Sequence, residues 1–247
     1  MHNAAFQAKG LAFTYVSFST DDTARVIDSM RSLGFRGLSL TIPHKESALS
    51  LVDTVSEEAQ SIGAINTVVN TDGILAGYNT DTVGIERALT EANYLVAGRR
   101  VLVLGAGGAA RALLFTLRKL GASSILLANR TQSRAGRLAA EFQLTVIPFA
   151  EFGNVSPDSF DLLVNATPLQ EVASAFSFPK LTPKHGVFEL VTQETELVRT
   201  ARAARAQVIL GTRMLLYQAV EQFQLFTEEE APLQVMEQAL VAECMRK

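Results

Sequence analysis

Residues 101–111 read VLVLGAGGAAR. Four apolar residues run straight into Gly105-Ala106-Gly107-Gly108-Ala109-Ala110. That stretch fits the spacing G-x-G-x-x-G/A, with Ala110 in the third position. A buried strand, a tight turn and the start of a helix are implied. Gly105 makes the turn. Gly107 has no Cβ, so a phosphate can approach the backbone. Ala110 is small enough for the helix to pack on the strand. The helix start offers free N–H groups and a positive dipole end to an anion. The pattern predicts a dinucleotide site.

Working outward, residues 124–130 read as a second strand that ends in Asn129-Arg130-Thr131, with Arg134 one turn into the next helix. At this place an Asp or Glu meets a free ribose 2′-hydroxyl, whereas Arg meets a 2′-phosphate. Arg130 and Arg134 therefore favour NADP over NAD. Strands are expected at residues 101–105, 125–130, 145–149, 161–166, 187–191 and 207–210. Helices lie between them, for example at 109–120 and 132–142. This alternation predicts an α/β domain with a parallel, doubly wound sheet of Rossmann type.

Ahead of that domain, residues 14–19 alternate and are rich in β-formers, which predicts a strand. Asp21 or Asp22 can cap a helix that Gly34 stops. Residues 37–42 read as a strand, broken by Pro43-His44-Lys45 because proline donates no ladder hydrogen bond. A short helix follows, then another capped at Ser56. Strands at 66–70 and 74–79 flank the turn Thr71-Asp72-Gly73. Asn79-Thr80-Asp81 opens a helix to about residue 93. Two helices, about 213–226 and 232–245, close the chain without a sheet of their own. The economical division puts residues 1–82 and 216–247 in one α/β domain for substrate and catalysis. Residues 83–215 form the inserted nucleotide domain.

The totals exclude several classes of partner. A net charge of −3 gives no basic field for nucleic acid or an anionic membrane. No apolar run approaches the roughly 20 residues of a membrane span. The opening MHNAAFQAKG has no apolar core of a signal peptide. Cys244 is the only cysteine, so no internal disulfide can form and a reducing cytoplasm is expected. His2, His44 and His185 lie far apart in sequence, and no metal-ligand spacing is present.

Lys45 and Asp81 are the candidate catalytic pair. Reducing a ketone by hydride transfer needs a proton for the developing alkoxide, and the reverse reaction needs a base. A partly desolvated lysine can serve, with a carboxylate to hold it. Asn66 and Asn79 can donate to and accept from substrate hydroxyls.

A set of motifs in fixed order extends this reading. They are Met1-His2-Asn3-Ala4-Ala5-Phe6, Leu40-Thr41-Ile42-Pro43-His44-Lys45, Gly63-Ala64-Ile65-Asn66-Thr67 and Gly77-Tyr78-Asn79-Thr80-Asp81. The cofactor stretches at Gly105 to Ala110 and at Asn129, Arg130, Thr131 and Arg134 come next. Asn165-Ala166-Thr167-Pro168-Leu169 and the stretch from Gly211 to Gln218 complete the order. Together they resemble the shikimate dehydrogenases. The resemblance implies NADP-dependent interconversion of 3-dehydroshikimate and shikimate, in aromatic amino acid biosynthesis. It implies catalytic roles for Lys45 and Asp81, and substrate contacts from Thr41, Asn66, Gln218 and the position of Thr192. It puts Thr167, Leu190, Gly211 and Met214 at the cofactor. A monomer or homodimer is expected.

The chain departs from the family's pattern at several places. Gln170 and Glu171 stand where Gly and Met are common. Phe188 to Glu194 replaces Y-D-L-V-Y-N-P, so Thr192 takes the place of a tyrosine. Arg213 replaces the usual second glycine before Met214. The family's first strand and serine loop have no counterpart ahead of Met1, which implies a weakened substrate domain and poor shikimate affinity. A quinate/shikimate dehydrogenase and an inactive ligand-binding homologue are the alternative readings.

Overall fold

The computed structural model describes residues 1–168 and 177–245. In chain order the elements begin α1 (His2–Lys9), α2 (Thr23–Leu33), β1 (Gly37–Ser39), α3 (His44–Ser47), β2 (Thr54–Val55) and α4 (Glu57–Ile62). Next come β3 (Thr67–Thr71), β4 (Ile74–Tyr78), α5 (Asp81–Glu91), β5 (Arg100–Leu104), α6 (Gly108–Lys119), β6 (Ser124–Ala128) and α7 (Gln132–Phe142). The last are β7 (Thr145–Val146), β8 (Leu162–Asn165), β9 (Gly186–Glu189), α8 (Glu196–Ala203), β10 (Gln207–Leu210), α9 (Gly211–Thr227) and α10 (Leu233–Cys244). Residues 1–84 and 215–247 make one unit, and residues 85–214 make a second.

The first unit holds a mixed sheet in the order β1-β3-β4-β2. β3 is antiparallel to both β1 and β4, while β2 runs parallel to β4. Asp72 and Gly73 sit at φ 52° and 88°, so the β3–β4 hairpin closes with two left-handed residues, as a tight primed turn requires. Asp22 caps α2 by accepting from Arg25 N–H at 3.0 Å, and Ser56 caps α4 by accepting from Ala59 N–H at 3.2 Å. Ile27, Met30, Leu40, Ile65, Val68 and Leu75 form the core under the sheet. A second cluster joins Ala5 and Phe6 of α1 to Phe223 of α9 and to Met236 and Leu240 of α10. Gly37 matters to this packing. A Cβ there would meet the Phe226 ring at 2.3 Å, so only glycine lets α9 lie on β1.

Two expectations fail in this unit. Residues 14–19 form no strand. A strand needs a neighbouring backbone ladder, and Tyr15 instead exchanges both backbone hydrogen bonds with the Asn3 side chain, at 2.6 and 2.9 Å. The strand expected at 37–42 stops at Ser39. Leu40 N–H still reaches the Asn66 carbonyl at 2.7 Å, but a cis Ile42–Pro43 bond follows and α3 starts at His44. Lys45 is thus on a helix rather than in a loop.

The second unit is a six-stranded sheet in the order β10-β9-β8-β5-β6-β7, parallel throughout. The fold is the α/β doubly wound, Rossmann-type arrangement. Its strands read as apolar runs because both faces are covered, and Leu102, Leu104, Phe152, Leu163, Val187 and Leu197 share one core. The strand expected at 145–149 pairs only over Thr145–Val146. Pro148 then leads into two short 3-10 turns, Phe149–Asn154 and Pro157–Ser159, so no α-helix bridges β7 and β8.

Candidate active site

Lys45 and Asp81 come together. Lys45 Nζ lies 2.5 Å from Asp81 Oδ2, and the two side chains are only 12% and 5% exposed. The lysine is placed by α3, whose Lys45 carbonyl accepts the Ile65 N–H at 2.9 Å. The carboxylate is placed by the start of α5. There Asn79 Oδ1 accepts the Asp81 N–H at 3.1 Å, and Asn79 Nδ2 donates to the Ala64 carbonyl at 2.8 Å. Asn79, a candidate for substrate hydroxyls, is therefore spent on capping the helix.

Asn66 is the second anchor of Asp81. Its Nδ2 donates to Asp81 Oδ1 at 2.9 Å and to Thr80 Oγ1 at 3.0 Å. Its Oδ1 accepts from the Thr67 hydroxyl at 2.7 Å and from Thr80 N–H at 2.8 Å. Both ends of this amide are thus committed within the protein. Gln222 of α9 backs the arrangement: its Nε2 donates to Thr67 Oγ1 at 2.9 Å, and its Oε1 accepts from Ser39 Oγ at 2.9 Å. The sequence reading did not single out Gln222. Its place four residues after Gln218, on the same face of α9, is the signal that could have found it. Gln218 lies at the edge of the network, where Thr80 Oγ1 donates to its Oε1 at 3.5 Å and its Nε2 donates to the Leu215 carbonyl at 2.9 Å. Thr41 is exposed just before the cis proline, its carbonyl accepting from His44 N–H.

In the second unit the remaining candidates gather at the C-terminal ends of the parallel strands, where open α/β sheets bind ligands. Gly105, at φ 115°, follows β5, and a Cβ there would lie 2.8 Å from the Ala166 carbonyl oxygen beyond β8. Gly107 has no protein atom within 4 Å of the place its Cβ would take. It precedes Gly108, Ala109 and Ala110 of α6, and no side chain caps that helix. Thr167 is held by Asn165, whose Oδ1 accepts the Thr167 N–H and hydroxyl at 3.1 and 2.6 Å. A Cβ on Gly211 would fall 2.3 Å from the Leu190 carbonyl oxygen, so these two candidates touch, and Met214 is buried three residues on. Arg130 and Arg134 are exposed beyond β6 and at the start of α7. Asn129 Nδ2 donates to the Thr131 carbonyl at 2.8 Å and shapes the turn between them.

These residues fit a 2′-phosphorylated dinucleotide. The glycine cradle is open at Gly107, the start of α6 keeps its N–H groups, and two guanidiniums stand beyond β6. Among the described residues no group of His, Cys, Asp and Glu is placed to hold a metal ion.

Family models match three stretches: a shikimate dehydrogenase substrate-binding domain over residues 1–68, shikimate/quinate 5-dehydrogenase over 87–174, and a shikimate 5′-dehydrogenase C-terminal domain over 211–241. The chain is 40% identical to the NADP(+) shikimate dehydrogenase of Moorella thermoacetica, over 97% of this chain and 86% of that one. The chain belongs to the shikimate dehydrogenase family. Two solved structures of this family and its neighbours align over nearly the whole chain. Shikimate 5-dehydrogenase from Thermus thermophilus, in complex with NADP(H) and shikimate, is 35% identical with a TM-score of 0.82, over 98% of this chain and 92% of that one. Quinate dehydrogenase from Corynebacterium glutamicum, in complex with NAD, is 33% identical with a TM-score of 0.88 over the same shares.

The departures from the family pattern fall in different surroundings. Arg213 turns its guanidinium to Glu91, with Nε 2.6 Å from Oε2. Thr192 is exposed in the loop after β9. Gln170 and Glu171, together with Leu169, lie outside the described residues. Glu189, which stands at the Asp of the family stretch Y-D-L-V-Y-N-P, is wholly buried at the end of β9.

Proposed function

We propose that this chain is an NADP-dependent shikimate dehydrogenase, which interconverts 3-dehydroshikimate and shikimate in aromatic amino acid biosynthesis. The short, nearly buried contact between Lys45 and Asp81 carries the reading. In the direction of reduction the ketone oxygen becomes a hydroxyl and needs one proton. Lys45 Nζ donates it and recovers one from water, while Asp81 keeps the ammonium aimed. In the reverse direction the neutral amine accepts the hydroxyl proton. NADPH, when bound, supplies the hydride that reduces the carbonyl carbon. Gly105 to Ala110 receive its pyrophosphate at the start of α6. Arg130 and Arg134 bind its 2′-phosphate by charge-assisted hydrogen bonds, which favours NADP over NAD.

In this reading residues 1–82 and 216–247 are the substrate domain, and residues 83–215 bind NADP. Thr41, Gln218 and Thr192 contact the substrate. Asn66 serves chiefly by orienting Asp81, because its amide is already committed. Thr167, Leu190, Gly211 and Met214 line the nicotinamide end. No helix among the described residues is long and apolar enough to cross a membrane. The reading places the protein in the cytoplasm, as a monomer or homodimer. The likeness to a quinate dehydrogenase keeps the C1-hydroxylated analogue as a second substrate candidate.

One assay decides among these. Purified protein is mixed with NADP or NAD and with shikimate or quinate, and reduced nicotinamide is followed by its absorbance. The expected result is turnover with NADP and shikimate well above the other three pairs. Faster turnover with quinate would reassign the substrate, and none with any pair would leave a binding protein.

A further inference from the structure

Glu189 is wholly buried, and the proton-transfer reading has no use for it. Its oxygens collect hydrogen bonds from three separate segments. Asn165 Nδ2 donates to both oxygens, at 3.0 and 3.1 Å. Val191 N–H donates to Oε1 at 3.0 Å, and the Thr195 hydroxyl donates to Oε2 at 2.7 Å. Every partner is a donor, which suits a carboxylate and no neutral side chain. An amide in its place would turn an NH2 group toward one of these donors.

Each donor fixes a further piece of the rim. Asn165 holds Thr167 through its Oδ1 and accepts the Leu190 N–H on its backbone carbonyl at 3.1 Å. Val191 follows Leu190, whose carbonyl oxygen leaves no room for a Cβ on Gly211. Thr195 caps α8, accepting the Val198 N–H at 3.3 Å. One carboxylate therefore ties together the turns after β8 and β9 and the start of α8.

We propose that Glu189 is the positioning residue that sets Thr167 and Leu190, and through them the nicotinamide end of the dinucleotide site. The proposal rests on the assignment of this unit to NADP. Burial pushes the Glu189 pKa above the ordinary glutamate value, while its bonds from Thr195, Val191 and Asn165 pull it back. The site thus accepts an electrostatic cost to keep an acceptor-only group here.

The test compares Glu189→Gln and Glu189→Asp with the unaltered protein. Three quantities are read: kcat for shikimate oxidation, the Kd of NADP, and the Kd of 2′,5′-ADP, which carries the adenine half and the 2′-phosphate alone. Glu189→Gln should lower kcat by about tenfold or more while the Kd of 2′,5′-ADP stays within about twofold. Glu189→Asp keeps the carboxylate and should recover part of the loss. If Glu189→Gln does not fold, the same split is read in Glu189→Asp alone. Unchanged kcat would overturn the proposal. So would a matching loss of 2′,5′-ADP binding, which marks a merely structural role. Unaltered protein that binds neither NADP nor 2′,5′-ADP would instead overturn the nucleotide assignment, and this proposal with it.

Discussion

Lys45 and Asp81 are 36 positions apart in sequence and in contact in the structure. Residue type and motif order were enough to name them. What the sequence could not state is how Asp81 is held. Two amides share that work, Asn79 at its backbone and Asn66 at its side chain. A sequence lists Asn66 as a group with two donors and an acceptor; only the fold shows them spent. The pair makes a direct prediction. Lys45→Ala should cut kcat by about 10²–10⁴-fold, the usual worth of a general acid–base group. Asp81→Asn should act in the same direction, since it keeps the shape and loses the charge. The Kd of NADP, measured separately, should not move in either variant. A Lys45→Ala protein that turns over at a near-normal rate would remove Lys45 from the mechanism.

At the scale of elements, the parallel sheet was legible because its strands are continuous apolar runs between helices with clear periodicity. The residues at strand ends were legible through glycine spacing. Isolated β-propensity was a poorer guide: residues 14–19 have the composition of a strand but form none, and Tyr15 bonds the Asn3 side chain instead. Glu189 lies in a motif stretch the sequence marks, but its hub was not legible there, since its partners come from β8, the turn after β9 and the cap of α8. The two glycines before α6 separate folding from binding. Gly105 has φ 115° and a carbonyl oxygen 2.8 Å from where a Cβ would go, so Gly105→Ala should lower both Tm and NADP affinity. Gly107 has an ordinary φ of −103° and open space before it. Gly107→Ala should therefore keep its Tm and still weaken NADP, because the added methyl stands where a phosphate approaches. Thermal melts beside NADP titrations decide this. A Gly107→Ala protein with unchanged NADP affinity would show that the cradle is not where the pyrophosphate lies.

For the whole molecule, the ionisable groups divide the response to acid between the two units. His2 in the first unit is 6% exposed, stacked on Tyr15 with ring centres 4.6 Å apart. Burial lowers its pKa from 6.5 to about 4. The unfolded chain protonates His2 first, so its contribution is present above pH 6.5 and is lost as pH falls through about 4. That loss is at most about 3 kcal/mol, from the size of the shift. In the second unit, hydrogen bonds from Arg100 hold Asp161 at about 2, so its contribution survives until pH falls below 3.8 toward 2. Glu189 works in the opposite sense: its pKa is raised by burial, so the folded form gains as pH falls. Between pH 6.5 and 4 the first unit therefore weakens while these groups leave the second intact. Hydrogen exchange followed by mass spectrometry across that range should show α1, α9 and α10 exposing their amides before β5 to β10 do. His2→Phe should move the first opening to lower pH and leave the second where it was. Coincident exposure of both units, or no shift on replacing His2, would show that acid lability does not start at this histidine.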